Sequence, residues 1–174
     1  NYISTALLLL MEQNDYQSIT VTDIAKKAGV SRMTYYRTYS SKEDILIQYF
    51  NNIANDFISE IKSHPNITLY QLVVHFFTFF REHGNLIPTL KKANLLELVF
   101  QNFVDNLKNF YTDLLGKPNL SASANYHLHF SAGGLSFALI LWSDSGYKET
   151  PEQMAQMIAS FMTPPLDITK TPEK

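Results

Sequence analysis

Residues 20–46 read TVTDIAKKAGVSRMTYYRTYSSKEDIL, and no other stretch leaves the backbone so few choices. Thr20 followed three residues later by Asp23 has the spacing of a capping box, with Asp where Glu is usual, and opens a short helix to Ala28. Gly29 ends it, since a sharp turn needs a left-handed residue and glycine adopts one without steric cost. Ser31 can cap a second helix over 32–38, and Ser41-Lys-Glu-Asp44 begins a third. Ala25 is small where the two short helices cross, and Ile24, Ala28, Val30 and Tyr35 form an inner face. Arg32, Met33, Tyr36 and Arg37 are left pointing outward. Two short helices about such a turn make a helix-turn-helix. A small helical core tolerates the turn, but it has no use for two arginines and a tyrosine on one exposed face.

The rest of the chain also reads as helix. Ile3, Ala6, Leu7, Leu10 and Met11 hold helical spacing over 2–13, and Asn14-Asp15 stops that element. Ile45, Leu46, Tyr49, Ile53, Phe57 and Ile61 keep the same period from Ser41 to about Lys62, where His64-Pro65-Asn66 breaks it. Further helices are expected at about 68–82, 86–92, 95–115, 122–143 and 151–162, and the tail from Pro164 is expected to fray. No β-alternation or internal repeat stands out. The expected fold class is all-α, and 6 Gly and 7 Pro against 22 Phe plus Tyr agree with long elements and bulky core side chains.

The chain of 174 residues has no cysteine, which excludes a disulfide framework, a thiol nucleophile and cysteine-ligated metal. That fits a reducing cytoplasm, the expected location. Leu120–Ser143 carries no formal charge, but its dense apolar run, Phe130–Trp142, is too short to cross a bilayer. A buried helix is expected there, with no membrane partner. The net charge of −2 hides an asymmetry: residues 22–42 hold five basic side chains against one acidic, while 43–174 are acidic overall. A basic module on an acidic body suits contact with a polyanion at one end. His127-x-His129 is the best metal-like pair, but positions i and i+2 of a helix diverge by about 200°, so no metal site is expected. Neither a nucleophile elbow nor a triad-like setting occurs, so no enzyme and no cofactor are expected.

Thr20-Val21-x-Asp23-Ile24-Ala25-x-x-Ala28-Gly29-Val30-Ser31, then Thr34-x-Tyr36-Arg37-x-Tyr39 and Ser41-Lys42-Glu43-Asp44-x-Leu46, resemble the DNA-binding domain of the TetR family of transcriptional regulators. The resemblance is strong over 1–62 and beyond that holds in helix number. Tyr126…Phe130…Gly133-Gly134-Leu135…Trp142…Gly146…Pro151-Glu152 resembles a C-terminal domain common in Gram-positive members. Met33 stands where the family often has a small residue, and Thr38 where it often has His. The resemblance implies a DNA-binding domain over 1–46, a helical effector-binding and dimerisation domain over 47–163, and a flexible tail over 164–174.

It also implies roles. Thr20 and Thr22 would bond phosphate at a helix N-terminus. Arg32, Met33, Thr34 and Arg37 would face the major groove, where Met33 suits a thymine methyl. Tyr36 and Lys42 would clamp the DNA backbone, although a helix-start charge such as Lys42 can equally be plain solvated surface. Phe76, Phe80, Phe100, Phe103 and Phe130 are candidates to line a pocket for a small apolar or aromatic effector, or simply to fill the core. Gly133, Gly134 and Ala138, with Leu135, Leu139 and Trp142, are expected at a homodimer interface that helices 122–143 and 151–162 form with their twofold mates as a four-helix bundle. The function so implied is a homodimeric regulator on a palindromic double-stranded DNA operator, a repressor relieved by a small effector. The alternative is a regulator controlled by a partner protein, or a coactivator, without a small ligand.

Overall fold

The computed structural model describes residues 2–64, 66–116 and 118–161, leaving aside the side chains of Leu114 and Leu115. The tail expected over 164–174 lies outside the described residues. Among the described residues the fold is helical and has no strand. Its α-helices are α1 (Tyr2–Gln13), α2 (Val21–Ala28), α3 (Arg32–Thr38), α4 (Lys42–Ser63), α5 (Leu69–Glu82), α6 (Leu86–Lys92), α7 (Leu96–Leu115), α8 (Ala122–Asp144) and α9 (Pro151–Phe161). A 3-10 turn, Tyr16–Ser18, lies between α1 and α2 and has no counterpart in the sequence reading.

Local chemistry accounts for the boundaries. Thr68 and Gln71 close a reciprocal capping box at α5, satisfying two backbone donors that the first turn leaves orphaned. Ser41 accepts from the Asp44 N–H at the start of α4, and Ser121 from Ala124 at the start of α8. Gly116 ends α7 at φ 59°, where a Cβ would strain the backbone.

One apolar core runs from Leu7 and Met11 of α1, through Ile45 and Leu46 of α4, to Phe77, Leu90, Leu139 and Trp142. Trp142 is its central pillar. Its ring meets Phe77 at 5.2 Å and Tyr147 at 4.9 Å, and its indole N–H donates to the Glu149 carbonyl. A smaller cluster of Val104, Leu128 and Ala132 joins α7 to α8 farther along. Helix α9 lies along α5, and α4 crosses α7. These placements correct the expected dimer interface: Leu135, Leu139 and Trp142 are buried within the protomer. Their apolar area goes to the core that α8 shares with α5 and α6.

Helix α4 joins the two ends of the molecule. Ile45 and Leu46 are fully buried, and Asn51 Oδ1 accepts from the amides of Asn102 and Asn106 on α7 at 2.9 and 2.8 Å. Farther along, Phe57 meets the His75 ring, and Glu60 lies 3.1 Å from His75 Nδ1.

Candidate nucleic-acid interface

The turn between α2 and α3 is built as its residues dictate. The Val30 N–H donates to the Ala25 carbonyl at 3.0 Å and the Gly29 N–H to Lys26 at 3.3 Å, the paired bonds of a Schellman ending. Gly29 sits at φ 69°, so a Cβ there would be strained even though the space around it is open. Ser31 then caps α3 through the Thr34 N–H at 3.1 Å. Tyr35, 1% exposed, anchors α3 to the core against Tyr39.

With Tyr35 inward, helical geometry turns Arg32, Met33, Tyr36 and Arg37 outward. All four are exposed, Met33 by 81% and Tyr36 by 64%. Among the described residues neither arginine has an ion-pair partner. The arrangement offers guanidinium forks and an apolar tip on one helix narrow enough for a major groove.

Two expected contacts are corrected here. The Thr20 hydroxyl donates to Asp23 Oδ2 at 2.6 Å and accepts from the Asp23 N–H at 3.2 Å, while its own N–H donates to the same carboxylate. Its only proton is committed to the cap, so it has none for a phosphate unless the box opens. Those bonds hold the Asp23 carboxyl below its ordinary range. Thr22 is exposed on the first turn of α2. The Thr34 hydroxyl, half-buried, pairs with Ser31 at 3.0 Å.

Lys42 is neither an outward clamp nor a solvated charge. Its ammonium donates to the Tyr16 and Ile19 carbonyls at 2.7 and 2.9 Å and sits 4.3 Å from the Tyr16 ring centre. One of its N–H donors remains. Beside it the Tyr16 hydroxyl donates to Glu43 Oε1. Burial and that acceptor push the phenol well above its ordinary range. Burial also pushes Glu43 upward, but the Tyr16 bond and neighbouring donors outweigh it and hold the carboxyl low. This trio fastens the 3-10 turn to α4 and so fixes α2 relative to α4.

Among the described residues the buried Tyr35 hydroxyl has no hydrogen-bond partner, and burial raises its pKa. An orphaned buried hydroxyl destabilises by roughly 1–3 kcal/mol. Tyr35→Phe is therefore expected to raise stability by about 1 kcal/mol in urea unfolding. A loss instead would mean that the hydroxyl has a partner in solution.

In the larger domain the aromatic candidates divide. Phe76 packs against Phe80 at 5.0 Å and Phe103 at 5.7 Å, and Phe100 packs on the same core. Phe130 is corrected: it is 79% exposed and lines nothing internal. A Cβ at Gly133 or Gly134 would meet, among the described residues and beyond its own turn of helix, nothing within 4 Å. Around Gly134, Tyr126, Phe130, Phe137 and Leu141 form an exposed stripe at helical spacing, and α9 exposes Met157 and Phe161. Apart from Phe130, read as a pocket residue, none of these apolar side chains was a site candidate from sequence. Among the described residues no cluster of three potential metal ligands occurs, and no helix is long and apolar enough to cross a membrane.

A helix-turn-helix with an outward basic face, carried on a larger helical body, defines a class of DNA-binding regulator. Residues 3–49 match the model for bacterial regulatory proteins of the tetR family, and residues 67–164 that for a transcriptional regulator C-terminal region. The chain belongs to the TetR family of transcriptional regulators. An HTH-type transcriptional regulator of Bacillus subtilis, YxbF, is 27% identical over 174 residues, covering 88% of this chain. The chain spans 41% of that relative's length. Among solved structures, the fatty acid degradation regulator FadR of Bacillus halodurans superposes with a TM-score of 0.65 at 20% identity, over 92% of this chain and 96% of that one. FadR of Bacillus subtilis, in complex with stearoyl-CoA, gives 0.62 at 18% identity with the same coverage. At these identities the likeness shows a shared fold.

Proposed function

We propose that the chain is a homodimeric repressor that sets one α3 into each of two successive major grooves of a palindromic operator. The observation that carries this reading is the outward face of Arg32, Met33, Tyr36 and Arg37, exposed and, among the described residues, without ion-pair partners. Arg32 and Arg37 take guanine edges or phosphate, Met33 takes a thymine methyl, and Tyr36 takes the backbone. Thr22 and the free N–H groups of the first turn of α2 receive a phosphate, a role Thr20 leaves to them. The remaining N–H of Lys42 adds at most one such contact.

The exposed stripe on α8 supports the dimer, because so much apolar surface on one helix face marks an interaction site. In place of the buried trio, the proposed contact uses Gly134, Phe130, Phe137 and Leu141, with Phe161 of α9. A twofold axis there makes each residue count twice. Helix α4, about 33 Å long at 1.5 Å per residue, carries a displacement at α5 and α7 to α3.

The effector in this reading is small and apolar, held between α5 and α7 near Phe76 and Phe103. The stearoyl-CoA held by a protein of the same fold supports an acyl chain as one candidate. Entry requires parting rings that now touch. A hundredfold change in operator affinity needs about 2.7 kcal/mol of unequal binding to two spacings. Selection of bound duplexes from a random pool tests the core of the proposal. The expected product is an inverted repeat with half-sites about one helical turn apart or slightly more, bound with a steep loss of affinity in salt. Recovery of unrelated sequences with no dyad would defeat it.

A further inference from the structure

A cleft of about 360 Å3 opens between α1 and the turn from α5 to α6, a volume typical of small-ligand sites. It is separate from the aromatic cluster of α5 and α7. Leu8, Leu9 and Leu86 make its apolar part. Glu12 of α1 and Glu82 of α5 also line it, and neither has a hydrogen-bond or ion-pair partner among the described residues. Tyr49 of α4 adds a half-buried ring whose phenol burial pushes upward.

The turn that completes the cleft is held in place. The Tyr147 hydroxyl donates to the Gly84 carbonyl at 2.8 Å, and the Leu86 N–H to the His83 carbonyl at 2.8 Å. The His83 ring stacks on Phe79, its Nδ1 lying 2.8 Å from the Phe79 carbonyl. A carbonyl can only accept, so Nδ1 carries a proton.

Thr5, Asn85 and Thr89 also line the cleft and can pair with either sign, but its formal charge is one-sided: two carboxylates beside the Tyr49 ring, both of which attract positive charge. Lys92 lines an adjoining shallower cleft that shares Glu12, and it makes no ion pair with either carboxylate. An anion would meet like charge. A bare hydrated metal ion would find no use for the leucines. A neutral apolar molecule would cover carboxylates and leave them unpaired, which is costly.

We propose that this cleft binds a small organic cation, an ammonium group carried on an apolar body. Its walls come from α1 and α4 on one side and from α5 and α6 on the other, so an occupant fixes their separation. Operator and cation must then alter each other's affinity by the same factor. Binding of the cation itself does not depend on the operator reading.

Calorimetric titration of the full chain with phenethylammonium, phenethyl alcohol and phenylacetate tests the site. The expected result is saturable binding of the ammonium at one per chain, about tenfold or more tighter than the alcohol, with none for the carboxylate. Glu12→Gln with Glu82→Gln is expected to weaken the ammonium about tenfold or more. Both side chains are unpartnered surface groups, and an unchanged melting curve verifies the fold. Leu9→Trp, which fills the apolar part, is expected to abolish binding, while Phe103→Ala in the aromatic cluster leaves it unchanged. Equal affinity for the alcohol, wild-type affinity in the double Gln variant, loss of binding in Phe103→Ala, or no saturation in the millimolar range would each overturn the proposal.

Discussion

Replacing Arg32 and Arg37 together by alanine is expected to weaken operator binding by a factor of about 10^3 or more. Twofold symmetry removes four guanidinium groups from the proposed complex, each supplying about 1–3 kcal/mol where it grips a base edge in bidentate fashion. Both side chains are exposed and lack ion-pair partners among the described residues, so the melting temperature is expected to stay within a degree or two. Fluorescence anisotropy with the selected duplex, repeated across a salt series, separates the two possible roles. Loss of base contacts relaxes preference at particular positions, whereas loss of phosphate contacts lowers affinity uniformly and flattens the salt slope. Lys26→Ala with Lys27→Ala, at the far end of α2, is expected to cost much less. If the arginine variant binds as tightly as the wild type, α3 is not the reading helix.

What could be read from the sequence follows the range of the interactions. The capping box of Thr20 and Asp23, the left-handed Gly29 and the Ser31 cap each close within four residues, so spacing alone displays them. The same locality explains the Thr20 correction: a hydroxyl that completes a cap is no longer a free donor. Lys42 was not legible, because its partners are the carbonyls of Tyr16 and Ile19, 26 and 23 residues away. Sequence marks a lysine at a helix start, and only the fold decides what lies opposite it.

Helix α8 shows the other limit. Leu128, Ala132, Leu135, Leu139 and Trp142 form one apolar stripe, and Tyr126, Phe130, Phe137 and Leu141 form a second at the same period. With apolar residues on both faces, periodicity names the helix without saying which face is inside. The choice is tertiary. Phe77 on α5 and Tyr147 after α8 give Trp142 its ring contacts, and that rotation turns Phe130 out. The small residues at Gly133 and Gly134 were informative in another way: among the described residues no crowded neighbour requires either of them to be small.

That open space is what makes the dimer testable. Phe137→Asp is expected to convert the proposed dimer to monomers in sedimentation velocity, since it places a carboxylate in the middle of the exposed stripe and, by symmetry, does so twice. Each buried phenylalanine contributes about 1.5–3 kcal/mol, and the introduced charges add a desolvation cost to that loss. Phe137 is 76% exposed in the protomer, so helicity and cooperative melting should persist. Gly134→Leu, with no atom near its Cβ, should act the same way by holding two backbones apart. Leu139→Asp is the contrast: it buries a charge in the core and is expected to unfold the chain. Operator affinity falls in the monomeric variants because the second half-site must then be found by a free chain rather than by one already tethered. Were Phe137→Asp and Gly134→Leu both to remain dimeric, the twofold contact would have to lie away from this face of α8, and the spacing of the two copies of α3 would have to be set by another surface.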